Sequence, residues 1–206
     1  MTKPNNQEEM QRREGANPVG SGSGEEPQTR EEFLQYSCQL KMDLNTAHKA
    51  LHLDEGHRQA ASGGTQQAYP DCPERFDYWH QVLCKEGLTG RHYWEVGWNG
   101  KGVNVAVAYK GMRRKGDSKP ASLGFNDQSW SLQCTPTKYY FWHNWRSIAI
   151  SGPLTYKIGV YLDHSAGTLS FYNVSDTMTL LYRVHTVFTE PLYPAFKLSK
   201  PGLIRI

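Results

Sequence analysis

The segment Ile158-Gly159-Val160-Tyr161-Leu162-Asp163, followed by His164-Ser165-Ala166-Gly167 and then Thr168-Leu169-Ser170-Phe171, decides the architecture. Ile158, Val160 and Leu162 share one face, and Leu169 and Phe171 resume it on the returning run. A period of two belongs to pleated strands, whose successive side chains point to opposite faces. Gly167 can take the left-handed conformation that a tight turn needs, so the segment reads as a β-hairpin. Upstream, Trp94, Val96 and Trp98 alternate with Glu95 and Gly97. Val103, Val105, Val107 and Tyr109 alternate with Asn104, Ala106 and Ala108, and Gly100-Lys101-Gly102 between the two runs reads as a turn. Strands with one buried face and no intervening helices imply stacked antiparallel sheets. No alternating strand-helix-strand pattern supports a dinucleotide fold, and no repeat of propeller or solenoid period occurs.

Composition agrees. Of 206 residues, 38% are hydrophobic and 12% aromatic, with 12 Tyr, 6 Trp, 19 Gly and 11 Pro, which suits short strands and many turns. A net charge of +3, from 23 basic and 20 acidic residues, is too balanced for a nucleic-acid surface. Cys38, Cys72, Cys84 and Cys134 are widely spaced and read as reduced thiols of a cytoplasmic protein. The start MTKPNNQEEM has no apolar core of a secretory signal, and no apolar run is long enough to span a membrane. Asn173-Val174-Ser175 fits the glycosylation sequon but is expected to be unused in that compartment.

Residues 1–28, rich in Asn, Gln, Glu and Gly-Ser, are expected to be a disordered tail or linker, because they hold too little apolar surface to offset ordering entropy. Thr29-Arg30-Glu31-Glu32 reads as a capping box opening a helix of about two turns that carries Phe33 and Leu34. The domain is expected over 29–206. His48 and His52 are four apart but lack the glutamate of a zinc-protease helix.

Gly90-Arg91-His92-Tyr93-Trp94-Glu95-Val96, the Val160–Tyr172 hairpin and Glu190-Pro191-Leu192-Tyr193-Pro194-Ala195-Phe196 carry a family signature, in order. With Asp43-Leu44-Asn45-Thr46-Ala47 and Arg75-Phe76-Asp77 upstream, the chain resembles the PRY-SPRY (B30.2) family, in the manner of fish tripartite-motif proteins, fish NOD-like receptors and stonefish toxins. Leu44 stands where the family pattern has Pro, and Met42 where it has Leu. The resemblance places PRY at about 29–88 and SPRY at about 89–206. It implies an all-β, bent two-sheet antiparallel β-sandwich of concanavalin-like form with a short N-terminal helix. It further implies a monomeric, non-catalytic module that grips a protein or peptide with loops at one end, as the recognition part of an innate-immune ubiquitin-ligase or sensor pathway. The RING, B-box and coiled coil of the ligases are not expected here, since neither zinc-ligand spacing nor heptads occur.

Catalytic patterns are thin. Glu95 and Asp163 invite comparison with a glycosidase dyad, yet both read more simply as residues that fix turns and backbone. There is no nucleophile elbow, no phosphate-binding loop and no calcium loop, so no cofactor or metal is expected. A carbohydrate-binding or carbohydrate-active sandwich is the alternative, and a self-pairing assembly domain a third reading.

Binding candidates lie in two places. The basic run Lys110–Lys119 contains Arg113 and Arg114 and reads as a solvated loop or a contact for an acidic partner. In Trp130–Trp145, alternation puts Trp130 and Leu132 in the core and, past the Pro136 turn, Tyr140 and Trp142 with them; Gln133, Thr135, Tyr139 and Phe141 then project to the opposite face. The family resemblance implies that positions matching Asn104, Gln133 and Thr135 line the groove, where relatives carry an acidic residue and aromatic residues. Since this sequence differs at all three, the groove is carried over but not its ligand. The expected partner contacts are Asn104, Gln133, Thr135, Tyr139, Phe141, Arg113 and Arg114.

Overall fold

The computed structural model describes residues 25–206. Helix α1 (Arg30–Leu34) precedes thirteen strands: β1 (Leu51–Leu53), β2 (Gln59–Ser62), β3 (Gln81–Leu83), β4 (Arg91–Gly100), β5 (Val103–Tyr109), β6 (Ser129–Cys134), β7 (Tyr139–His143), β8 (Arg146–Ile150), β9 (Lys157–Asp163), β10 (Thr168–Val174), β11 (Met178–His185), β12 (Leu192–Leu198) and β13 (Gly202–Arg205). They form a seven-stranded sheet, β1-β2-β13-β4-β9-β10-β11, and a six-stranded sheet, β3-β12-β5-β6-β7-β8, with every ladder antiparallel. The expected all-β sandwich is what the chain builds. β1 and β2 enter one sheet and β3 the other, so the N-terminal third folds into the same core.

The core lies between the sheets. Trp94, Val96 and Trp98 of β4, Ile158, Val160 and Leu162 of β9, and Leu169 and Phe171 of β10 meet Val103, Val105 and Val107 of β5, Leu132 of β6 and Phe196 of β12. Each such side chain contributes roughly 1.5–3 kcal/mol on burial. The β9–β10 turn is tied by Ala166 N–H donating to Asp163 Oδ1 at 3.0 Å. Gly167 sits at φ +69°, and a Cβ there would lie 1.8 Å from Thr186 O, so only glycine fits.

Outside the seven-stranded sheet, α1 seats Phe33 against Tyr93, Tyr161 and Tyr172, with ring centroids 4.8–5.3 Å apart. The capping box forms as expected, but the helix is only 5 residues long, shorter than two turns. Residues just before 29 also contact the sheet: Glu26 pairs with Arg183 and accepts from Tyr172 Oη at 3.0 Å, and Pro27 is buried. Residues 1–24 of the expected tail lie outside the described residues. Among those described, no helix is long and apolar enough to cross a membrane.

Candidate partner-binding surface

The six-stranded sheet has a second, outward face. Cross-strand register sets Gln81, Lys197, Asn104, Gln133, Tyr140 and Ala149 side by side in one row. The next row holds Leu83, Ala195, Ala106, Ser131, Trp142 and Ser147. Small side chains at Ala106, Ala108 and Ala195 let Phe76, Met112 and Leu123 pack directly over that part of the sheet as a separate apolar cluster. Lys197, Gln133, Tyr140 and Trp142 stay half-buried.

Two aromatic walls flank this polar floor. On one side Phe125 stacks on Trp142 at 4.6 Å, and Trp145 meets Phe125 edge-on at 5.9 Å. Gly124, at φ +86°, makes the approach possible, because a Cβ there would lie 2.5 Å from Trp142 Cβ. Trp142 Nε1 donates to Gln133 Oε1 at 2.9 Å, holding the floor to the wall. Asn144 and Trp145, at φ +45° and +67°, are the central residues of the β7–β8 turn. Two consecutive left-handed residues match the twist of a hairpin, but a bulky aromatic there is strained by about 1–3 kcal/mol. The turn is fixed by Asn144 N–H donating to Asn126 O at 2.9 Å, and Trp145 is left 52% exposed. On the other side Trp79 Nε1 donates to Ser118 O at 3.2 Å, with the exposed Tyr78 edge-on to it at 5.1 Å.

Several sequence expectations need correction. Tyr139 and Phe141 are core residues, 1% and 5% exposed, whereas Tyr140 and Trp142 face outward. The reason is the Pro136-Thr137 loop: Thr135 N–H donates to Lys138 O, so Cys134 pairs with Tyr139 and Leu132 with Phe141. A two-residue loop pairs even with odd positions, and cross-strand partners share a face. Tyr139 Oη instead donates to Pro153 O at 3.1 Å and accepts from Thr155 N at 2.7 Å. Phe141 packs on Phe171 and Tyr182. Both therefore belong to the core and not to the outward face. Arg114 is also structural: its guanidinium donates to the carbonyls of Met112, Glu74 and Lys110 and lies over Phe76 at 5.2 Å. Arg113 remains exposed.

Asn104 and Gln133 do lie together on the outward face, but Asn104 is 7% exposed and donates to Ser131 Oγ at 2.9 Å. Thr135 lies at the rim, its hydroxyl bonded across the hairpin turn to Lys138. Trp79, Phe125, Trp142, Trp145 and Lys197 were not expected at the site; the loop length before β7 was the readable signal for Trp142.

Glu95 and Asp163 do not form a dyad. Asp163 pairs across the ladder with Arg91, four residues from Glu95, which separates them by roughly 13 Å of strand. Glu95 is gripped by Arg30 at 2.7 Å and Lys157 at 2.8 Å, and Asp163 by Arg91 at 2.9 Å. Burial pushes the Glu95 carboxyl up, but hydrogen bonds from Arg30, Lys157 and Tyr93 outweigh it and hold it at about 2. A carboxyl so anchored is a strut for α1 and the sheet. Among the described residues, no group of three or more His, Cys, Asp or Glu side chains could hold a metal.

A two-sheet sandwich with loops arching over one outer face is the mark of a domain class, and the comparisons give its family. Residues 40–88 match the PRY family, the SPRY-associated domain, and residues 91–205 match the SPRY domain. The chain belongs to the PRY-SPRY family. It is 43% identical over 171 residues to neoverrucotoxin subunit beta of Synanceia verrucosa, covering 81% of this chain and 24% of that protein. It is 38% identical over 178 residues to tripartite motif-containing protein 16 of Mus musculus, covering 85% and 32% respectively. The chain thus spans about a quarter to a third of the length of these relatives. The stonustoxin structure superposes with a TM-score of 0.81 at 39% identity, over 86% of this chain and 30% of that one. The TRIM65 PSpry domain superposes with a TM-score of 0.78 at 27% identity, over 85% and 94%.

Proposed function

We propose that this chain is a non-catalytic, monomeric binding module that recognises a protein or peptide on the outward face of its six-stranded sheet. The observation that carries this reading is Trp145: a strained, half-exposed indole, held at the rim of an aromatic shelf by the turn beneath it. Strain in an exposed aromatic gains nothing for the core, whereas a rigid aromatic at a rim is what interface hot spots use. Asn104, Gln133 and Thr135 form the polar part of the surface and Arg113 its outlying charge. Membership beside tripartite motif-containing proteins supports a role as the recognition part of an innate-immune ubiquitin-ligase or sensor pathway. Free thiols at Cys38, Cys72, Cys84 and Cys134 go with the reducing cytoplasm.

The test is affinity capture with the full chain, followed by mass spectrometry, beside a Trp145→Ala chain of unchanged melting temperature. Proteins retained by the first and lost by the second support the proposal. An identical set on both would sink it.

A further inference from the structure

Among the described residues, Lys197 is the one cation of the polar floor, and it has no acidic partner. Its side chain leaves β12 in the row between Gln81 and Asn104. The ammonium donates to Ser122 Oγ at 3.0 Å and lies 4.6 Å from the centre of the Trp79 ring. Among the described residues its ammonium forms no ion pair with a carboxylate. The same holds for Lys119, which stands 5.7 Å over Phe125 at the opposite wall. Ser118 Oγ, on the residue whose carbonyl holds Trp79, is buried without a hydrogen-bond partner.

A half-buried ammonium has three donors, and one hydroxyl with an aromatic face satisfies them incompletely. Burial accordingly pushes the Lys197 amine down to about 8. Elsewhere on the domain, Glu95 is matched by Arg30 and Lys157, and Asp163 by Arg91. Gln81 in the same row is bonded at both ends of its amide, to Ala121 O and Leu123 N, so the floor is ordered around an unmatched positive charge. A carboxylate arriving there would replace lost hydration with a charge-assisted hydrogen bond.

We infer that the partner presents an Asp or Glu side chain to Lys197, with a flat apolar side chain close by on the Phe125–Trp145 shelf. This rests on the outward face being the binding face, and it names the chemistry that face selects. Asn104 and Gln133 flank the acid as neutral hydrogen-bonding groups, which leaves Lys197 as the charge that discriminates acid from amide.

The test uses a random linear-peptide library displayed on phage and selected on the immobilised full chain, on Lys197→Gln and on Trp145→Ala. Winners from the native chain should carry Asp or Glu at a fixed distance from an aromatic or large aliphatic residue. That acidic preference should vanish with Lys197→Gln, and Trp145→Ala should lose the winners. In a synthetic winner, exchanging the acid for its amide should weaken binding about tenfold or more to the native chain and hardly at all to Lys197→Gln. Should Lys197→Gln fail to fold, the acid-to-amide exchange on the native chain decides alone. Winners that depend on Trp145 but carry no acidic preference would overturn this inference and leave the binding face standing. An absence of winners, or winners indifferent to Trp145→Ala, would overturn the binding face and this inference with it.

Discussion

Replacing Glu95 by Gln should detach an electrostatic strut without disturbing the core. The Glu95 carboxylate accepts from Arg30 Nε at 2.7 Å, Arg30 Nη2 at 3.0 Å and Tyr93 Oη at 2.9 Å, and pairs with Lys157 at 2.8 Å. Its folded value of about 2 lies below the ordinary 4.5. In that window the unfolded chain binds more protons, so stability rises with pH, is complete above about 4.5, and is lost as pH falls towards 2. A displacement of that size corresponds to about 3 kcal/mol at most. Arg30 and Lys157 are 42% and 45% exposed, and solvent screening reduces the contribution to about 1–2 kcal/mol. Urea unfolding of Glu95→Gln should therefore show a loss of about 1–2 kcal/mol at neutral pH that shrinks towards zero near pH 2, where the native carboxyl is itself protonating. Gln keeps an acceptor for Tyr93 Oη, so the residual difference should be small. An equal loss at both pH values, or none at neutral pH, would refute the reasoning.

Three further outcomes follow from the packing. Trp94→Ala empties a site 4% exposed in the core and should cost about 3–5 kcal/mol in urea unfolding; a loss below about 1 kcal/mol would contradict the core assignment. Tyr139→Phe removes the hydroxyl that bridges Pro153 O and Thr155 N, costing about 1–2 kcal/mol with peptide binding unchanged. Weaker binding at unchanged stability would return Tyr139 to the surface. Gly167→Ala forces a Cβ onto Thr186 O at a left-handed φ and should lower stability by more than about 2 kcal/mol. A melting temperature equal to that of the native chain would show that the turn relaxes freely.

The sandwich was legible because the inter-sheet faces of β4, β5, β9 and β10 carry large apolar side chains at every second position, and Gly167 marks the turn. The same periodicity failed at β7. Alternation says that Tyr139 and Phe141 share a face, but which face depends on the number of residues looping from β6, and the Thr135–Lys138 pairing flips the parity. Arg114 misleads for another reason: a basic run suggests a solvated surface, whereas its guanidinium fastens three carbonyls of neighbouring loops. Lys197 was invisible because it sits in an apolar closing strand, and its isolation depends on which carboxylates other segments bring near. Trp145 carries no periodic signal at all; its position in the two-residue turn between β7 and β8, with Phe125 arriving from a distant loop, appears only in three dimensions.

Recognition is assigned to the outward face of the six-stranded sheet. Amide hydrogen exchange of the full chain, measured with and without a peptide selected on it, reads that surface residue by residue. Slowed exchange should gather in residues 122–126, in the Asn144–Trp145 turn, and in β6, β7 and β12. Protection confined to the cleft lined by Arg146 and Ile148 of β8 and Arg183 and His185 of β11, or to the seven-stranded sheet, would place recognition elsewhere.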